Sequence, residues 1–113
     1  MRSDARRVAP ALIFAEFASV AAKVVRRGLI ADATVRNAVE RLPKLIDEIA
    51  PLGDLAGSAY DLATRRGFSV YDAFYLALAR KRGLRLVTAD AKLARRAVEV
   101  GLADHVSLLV AEP

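Results

Sequence analysis

Between Ser69 and Asp90 the chain reads SVYDAFYLALARKRGLRLVTAD, and this run limits the fold more than any other. Val70 to Ala79 consists of helix formers and is apolar on nearly every side, which predicts a buried helix. Gly83 supplies a stop, and Leu84 to Thr88 reads as a short buried strand. From Asp72 the helix advances roughly 1.5 Å per residue to about Arg82. The strand then returns at roughly 3.3 Å per residue. The two lengths nearly cancel, so Asp72 and Asp90 are expected at one rim, at the carboxyl end of a strand, where open α/β sheets place ligands. Two carboxylates at such a rim make a candidate metal site.

The whole chain has 113 residues, enough for one domain spanning residues 1–113 with a real core. Its hydrophobic content of 55% and mean hydropathy of +0.27 exclude disorder and favour a helix-rich globule. The net charge of +5 leaves two alternatives open. One is an anionic partner, nucleic acid first, because phosphate neutralisation supplies affinity without sequence recognition. The other is ordinary solubilising charge. With no cysteine in the chain, disulfides, thiol catalysis and cysteine-bound zinc are excluded, which suits a reducing cytoplasm. The longest apolar stretch, Val8 to Val25, carries Glu16 and Lys23 and lacks the flanks of a signal peptide. It predicts a buried helix of a soluble protein rather than a membrane span.

Met1 to Arg7 reads as a polar, basic lead-in, and Val8 to Pro10 as a short extended piece. A helix from about Ala11 to Arg27 is expected to stop at Gly28. Asp32 is placed to cap a second helix through about Leu42, with Pro43 interrupting or kinking the segment Lys44 to Ala50. Pro51 and Gly53 mark a turn, and Asp54 is placed to cap a helix through Arg66, closed by Gly67. After the central helix and strand, a helix over Ala91 to Val100 ends at Gly101, and His105 to Val110 reads as a last strand. Helices alternating with short apolar strands predict an α/β layer structure. Only two or three strands are visible, fewer than the four or five that a three-layer sheet of this size would normally hold.

Glu16 adds a third acid. It sits in mid-helix among Leu12, Ile13, Phe17 and Val20, where a carboxylate is costly unless paired, protonated or bound to a cation. Each acid has a structural alternative. Lys23 is a partner for Glu16 near the same face. Ser69 and Asp72 come close to a capping box, and Asp90 suits the N-cap of the next helix. Three carboxylates around apolar segments converging on one sheet edge are harder to explain as caps. Oxygen-rich sites of this kind suit Mg²⁺ or Mn²⁺, which in phosphodiesterases activate water and neutralise the leaving group.

Glu16 in PALIFAEFASV, then SVYDAFYLALA, then LVTAD followed by a basic helix, together resemble the PIN domain, specifically the VapC-type toxins of toxin–antitoxin pairs. The resemblance covers nearly the whole chain, and its specific part runs from YDA to TAD. It implies a PIN-like three-layer α/β fold with a short parallel sheet flanked by helices. It also implies a Mg²⁺- or Mn²⁺-dependent endoribonuclease, commonly a homodimer inhibited by a small antitoxin protein. The family's acidic residues carry over onto Glu16, Asp72 and Asp90, and Thr88 takes the hydroxyl position before the last acid. Family members open with an apolar strand bearing a first aspartate, followed by a helix, and this chain departs from that pattern. Asp4 has no apolar strand around it and does not fill the role. The fold is therefore expected to be N-terminally truncated, with apolar surface and unpaired backbone left exposed.

The remaining features rank lower. His105, the only histidine, precedes an apolar strand and reads as structural. There is no GxSxG elbow and no phosphate-binding glycine loop. Tyr71, Phe74 and Tyr75 share the buried helix and read as core rather than base-stacking platforms. Lys92, Arg95 and Arg96 follow Asp90 and either steer an RNA backbone or form the solvated face of the last helix. Two further functions stand beside the nuclease: a catalytically inactive PIN remnant acting as a protein- or RNA-binding module, and a basic nucleic-acid-binding domain without catalysis.

Overall fold

The computed structural model describes residues 7–88 and 90–108. The expected lead-in up to Arg6 with Asp4, and the end of the last strand at Leu109 and Val110, lie outside the described residues. Among the described residues the fold is α/β, with five helices and short parallel strand pairs. It divides into two compact units, separated in sequence between Pro51 and Leu52.

The first unit runs β1 (Val8–Pro10), α1 (Ile13–Arg26), α2 (Asp32–Leu45) and β2 (Glu48–Ala50). β1 and β2 pair in parallel, with Val8 opposite Glu48 and Pro10 opposite Ala50. The pair is extended at both ends. The Arg7 N–H donates to the Asp47 carboxylate at 2.7 Å, and the Ala11 N–H donates to the Ala50 carbonyl at 3.0 Å. Ala9, Pro10, Leu12 and Ala50 are buried.

Two expectations for this unit change. The sequence left Lys44 to Ala50 as a segment kinked by Pro43, but α2 runs through Pro43 to Leu45 and the chain then turns into β2. Proline so close to a helix end disturbs few intrahelical bonds. The second change concerns α1, expected to be buried, in which no residue is fully buried. Within its unit α1 packs along α2, and Phe17 and Val20 line an open groove between the two helices, Val20 at 60% exposure. Leu29 and Ile30, in the turn after Gly28 (φ +71°), are exposed as well.

The second unit begins with a 3-10 turn at Leu52–Asp54 and continues with α3 (Ala56–Arg66), α4 (Val70–Arg82), β3 (Leu86–Thr88), α5 (Ala91–Glu99), a second 3-10 turn at Ala103–His105, and β4 (Val106–Leu108). Its core is built where α3 packs on α4 and α5 lies by the strands. Leu55, Ala59 and Leu62 meet the buried run Ala73, Leu76, Ala77, Leu78 and Ala79, with Phe68, Leu93, Ala97, Leu102 and Val106 also buried. Small alanines on α4 let neighbouring elements approach closely, which suits the YLALA run to a central helix.

β3 and β4 pair in parallel, Leu86 opposite Val106 and Thr88 opposite Leu108. The strand is not the buried one expected, because Val87 is 60% exposed. Among the described residues β3 pairs with β4 alone, which leaves its other edge unpaired. Arg85 reaches the Val106 carbonyl through Nη1 at 3.1 Å, and His105 Nδ1 bonds the Leu84 carbonyl at 3.0 Å. His105 thus ties the α4–β3 turn to the approach of β4, a structural role in keeping with its place in the sequence. Among the described residues no polar or charged side chain is fully buried, and no helix is long and apolar enough to cross a membrane.

Candidate active site

Asp72 is the third residue of α4. Ser69 caps that helix, its hydroxyl accepting the Asp72 N–H at 3.1 Å. The capping role expected from Ser69 is therefore real, but it engages only the backbone of Asp72. The Asp72 carboxylate is half-buried and makes no hydrogen bond or ion pair among the described residues. A carboxylate in the first turn of a helix is favoured by the partial positive charge there, whatever its further use.

Asp90 follows the carboxyl end of β3 and opens α5. Its Oδ1 accepts two backbone N–H groups, from Lys92 at 3.0 Å and Leu93 at 3.1 Å. Its own N–H donates to the Thr88 hydroxyl at 3.0 Å. Thr88 and Asp90 thus form one hydrogen-bonded turn between strand and helix, with Oδ2 of Asp90 outside the cap. Asp90 is exposed, as are Lys92 and Arg95 on the helix it starts. The two aspartates lie in the second unit, each at a helix N-terminal end.

Glu16 belongs to the first unit, in the first turn of α1, and is half-buried. Lys23, its alternative partner, forms no ion pair with it among the described residues. Seven residues separate the two, about 10 Å along the helix axis, beyond a lysine's easy reach. Within neither unit do three His, Cys, Asp or Glu side chains converge as a metal site among the described residues.

Two expectations for the neighbouring residues are corrected. Tyr71, placed in the core by its helix, is 60% exposed beside Asp72, because α4 begins before its covered stretch at Ala73. Phe74 and Tyr75 are half-buried. Arg96, for which the sequence leaves RNA steering and a solvated helix face as alternatives alongside Lys92 and Arg95, is instead engaged with the protein. Nη1 donates to the Gly67 carbonyl at 3.2 Å, Nη2 donates to the Arg66 carbonyl, and the guanidinium carbon stands 4.7 Å from the centroid of the Phe68 ring. No local pattern predicts contacts between residues 29 and 30 apart in sequence.

Residues 1–99 match the PIN domain family. The chain is also 36% identical over 76 residues to a protein named Ribonuclease VapC3 from Pyrobaculum aerophilum, an alignment that takes in 66% of this chain and 58% of that protein. The chain therefore spans well under two thirds of that relative's length. The family match covers most of the sequence. The chain belongs to the PIN domain family.

Proposed function

We propose that residues 1–113 form one PIN-like domain that acts as a divalent-metal-dependent endoribonuclease of VapC type, with Glu16, Asp72 and Asp90 as its acidic residues. The observation that carries this is the turn at the end of β3, where Thr88 and the first amides of α5 hold Asp90 in place. A likeness to a protein named a ribonuclease supports it.

The donor chemistry fits Mg²⁺ or Mn²⁺. Asp90 keeps Oδ2 outside its cap bonds, and the Asp72 carboxylate is uncommitted among the described residues. Hard oxygen donors of this kind are what those ions take. When bound, such an ion activates a water and neutralises charge on the phosphodiester. The protein's own part is distinct. Thr88 fixes the backbone of Asp90, and the α4 and α5 N-termini favour an anionic phosphate nearby. Lys92 and Arg95, both exposed on α5, draw the RNA backbone toward Asp90. A small antitoxin protein, a second copy of the chain and the cytoplasm as compartment belong to the same proposal through the family resemblance.

Asp72→Asn and Asp90→Asn keep side-chain shape and remove the anionic oxygens. Each is expected to abolish chelator-sensitive cleavage of RNA while the circular dichroism spectrum stays unchanged. Two variants that cut as well as the parent would show these acids to be misassigned. One observation favours a second reading, a catalytically inactive PIN domain that binds protein or RNA: within neither unit do three ligating side chains converge among the described residues. Mn²⁺ titration separates the two, because the inactive module binds the ion weakly and shows no turnover.

A further inference from the structure

Arg96 occupies a position that links the two aspartates' elements. It lies on α5 six residues beyond Asp90, about 9 Å along the helix axis. Its guanidinium reaches to the turn between α3 and α4, where the Arg66 and Gly67 carbonyls are free ends of α3 that lack intrahelical partners. The fork of an arginine satisfies two such carbonyls together, which a lysine's single ammonium does less well. The same group stacks on Phe68, a residue 5% exposed.

Backbone geometry agrees with this contact. Gly67 has φ +76°, and a Cβ built there would stand 3.1 Å from Arg96 Nη2. The next residue after Phe68 is Ser69, the cap of α4, and Asp72 follows three residues later. The turn seized by Arg96 is thus the base from which α4 departs.

We infer that Arg96 is a positioning residue, clamping the 66–68 turn onto α5 and so setting where Asp72 stands relative to Asp90. This rests on the nuclease function proposed above. A metal site held by side chains from separate elements depends on supports of this sort, since a ligand left loose weakens both ion binding and turnover. Arg96 touches neither ion nor RNA in this role.

The test compares the parent with Arg96→Gln, Arg96→Lys, Phe68→Leu and Asp72→Asn. For each, Mn²⁺ binding is read by electron paramagnetic resonance on RNA-free protein, and kcat and KM on a mixed-sequence single-stranded RNA oligonucleotide. All values are normalised to the folded fraction from circular dichroism. Arg96→Gln is expected to weaken Mn²⁺ binding and kcat by about tenfold each, with KM changed by less than about twofold. Arg96→Lys keeps the charge but not the fork and falls between Gln and the parent. Phe68→Leu keeps the burial and loses the stacking, for a loss of about threefold. It also keeps the test decisive should the Arg96 variants fold poorly.

Arg96→Gln equal to the parent in Mn²⁺ affinity and kcat per folded molecule, with only its melting temperature lowered, would overturn the inference. So would a rise in KM alone, which marks contact with RNA. A parent that binds no Mn²⁺ and cuts nothing, or an Asp72→Asn variant that matches the parent in both, removes the nuclease function itself. A parent that binds and cuts, with Asp72→Asn dead and Arg96→Gln normal, removes the positioning role alone.

Discussion

Asp90 does two jobs that substitution can separate. Its Oδ1 caps α5 through Lys92 and Leu93, and the proposed chemistry uses its charge. Asparagine caps a helix about as well as aspartate, whereas alanine forfeits roughly 1 kcal/mol. Asp90→Asn is therefore expected to melt within a degree or two of the parent and lose cleavage. Asp90→Ala should lose cleavage and about 1 kcal/mol in denaturant unfolding as well. If the two variants are equally stable, the capping role has been overvalued. Ser69→Ala gives the matching control on α4, with a similar stability loss of about 1 kcal/mol and an intact Asp72 carboxylate.

At the scale of elements, the sequence predicts both α4 and β3 to be apolar and buried, yet they differ. Leu76 on α4 has no exposed surface, while Val87 on β3 is 60% exposed. Leu76→Ala should cost about 2–5 kcal/mol, since the deletion leaves a cavity that a packed core cannot close. Val87→Ala should change stability by less than about 0.5 kcal/mol. Equal losses in urea titrations would mean that β3 is covered in solution by something that the chain's own packing does not supply. Gly67→Ala is an element-scale change too. It forces a side chain into φ +76° against Arg96, and an expected cost of about 1–2 kcal/mol follows from the backbone alone.

For the whole molecule, the net charge of +5 sets the response to salt. Lys92 and Arg95 are exposed beside Asp90, while Arg96 is spent internally. RNA binding to the cleavage-dead Asp72→Asn protein should weaken with salt. The two phosphate contacts of Lys92 and Arg95 predict a log–log slope of about −1.4, or roughly a sevenfold loss over a fourfold rise in salt. Fluorescence anisotropy on a labelled single strand measures it, and a flat response would leave the charge a matter of solubility. Chelation adds an independent check: EDTA should stop cleavage, and Mn²⁺ in excess should restore it.

Much of this protein is legible one residue at a time. Glycines 28, 67, 83 and 101 end their helices at positive φ, as their places in the sequence predict, because only glycine takes that conformation without strain. Ser69 and Asp90 cap as expected, whereas Asp32 and Asp54 do not, the N-caps of α2 and α3 being Ala31 and Leu55 without a side-chain bond. The run from Val70 to Asp90 also carries enough local pattern to indicate its family. Tertiary structure alone decided what depends on distant neighbours. It made β2 from a segment beside a proline, left Phe17, Val20, Val87 and Tyr71 open to solvent, and took Arg96 out of the RNA-facing set. Burial and clamping are properties of what lies across a gap in space. A periodicity along the chain says which face is apolar, but the packing partner determines whether that face is covered.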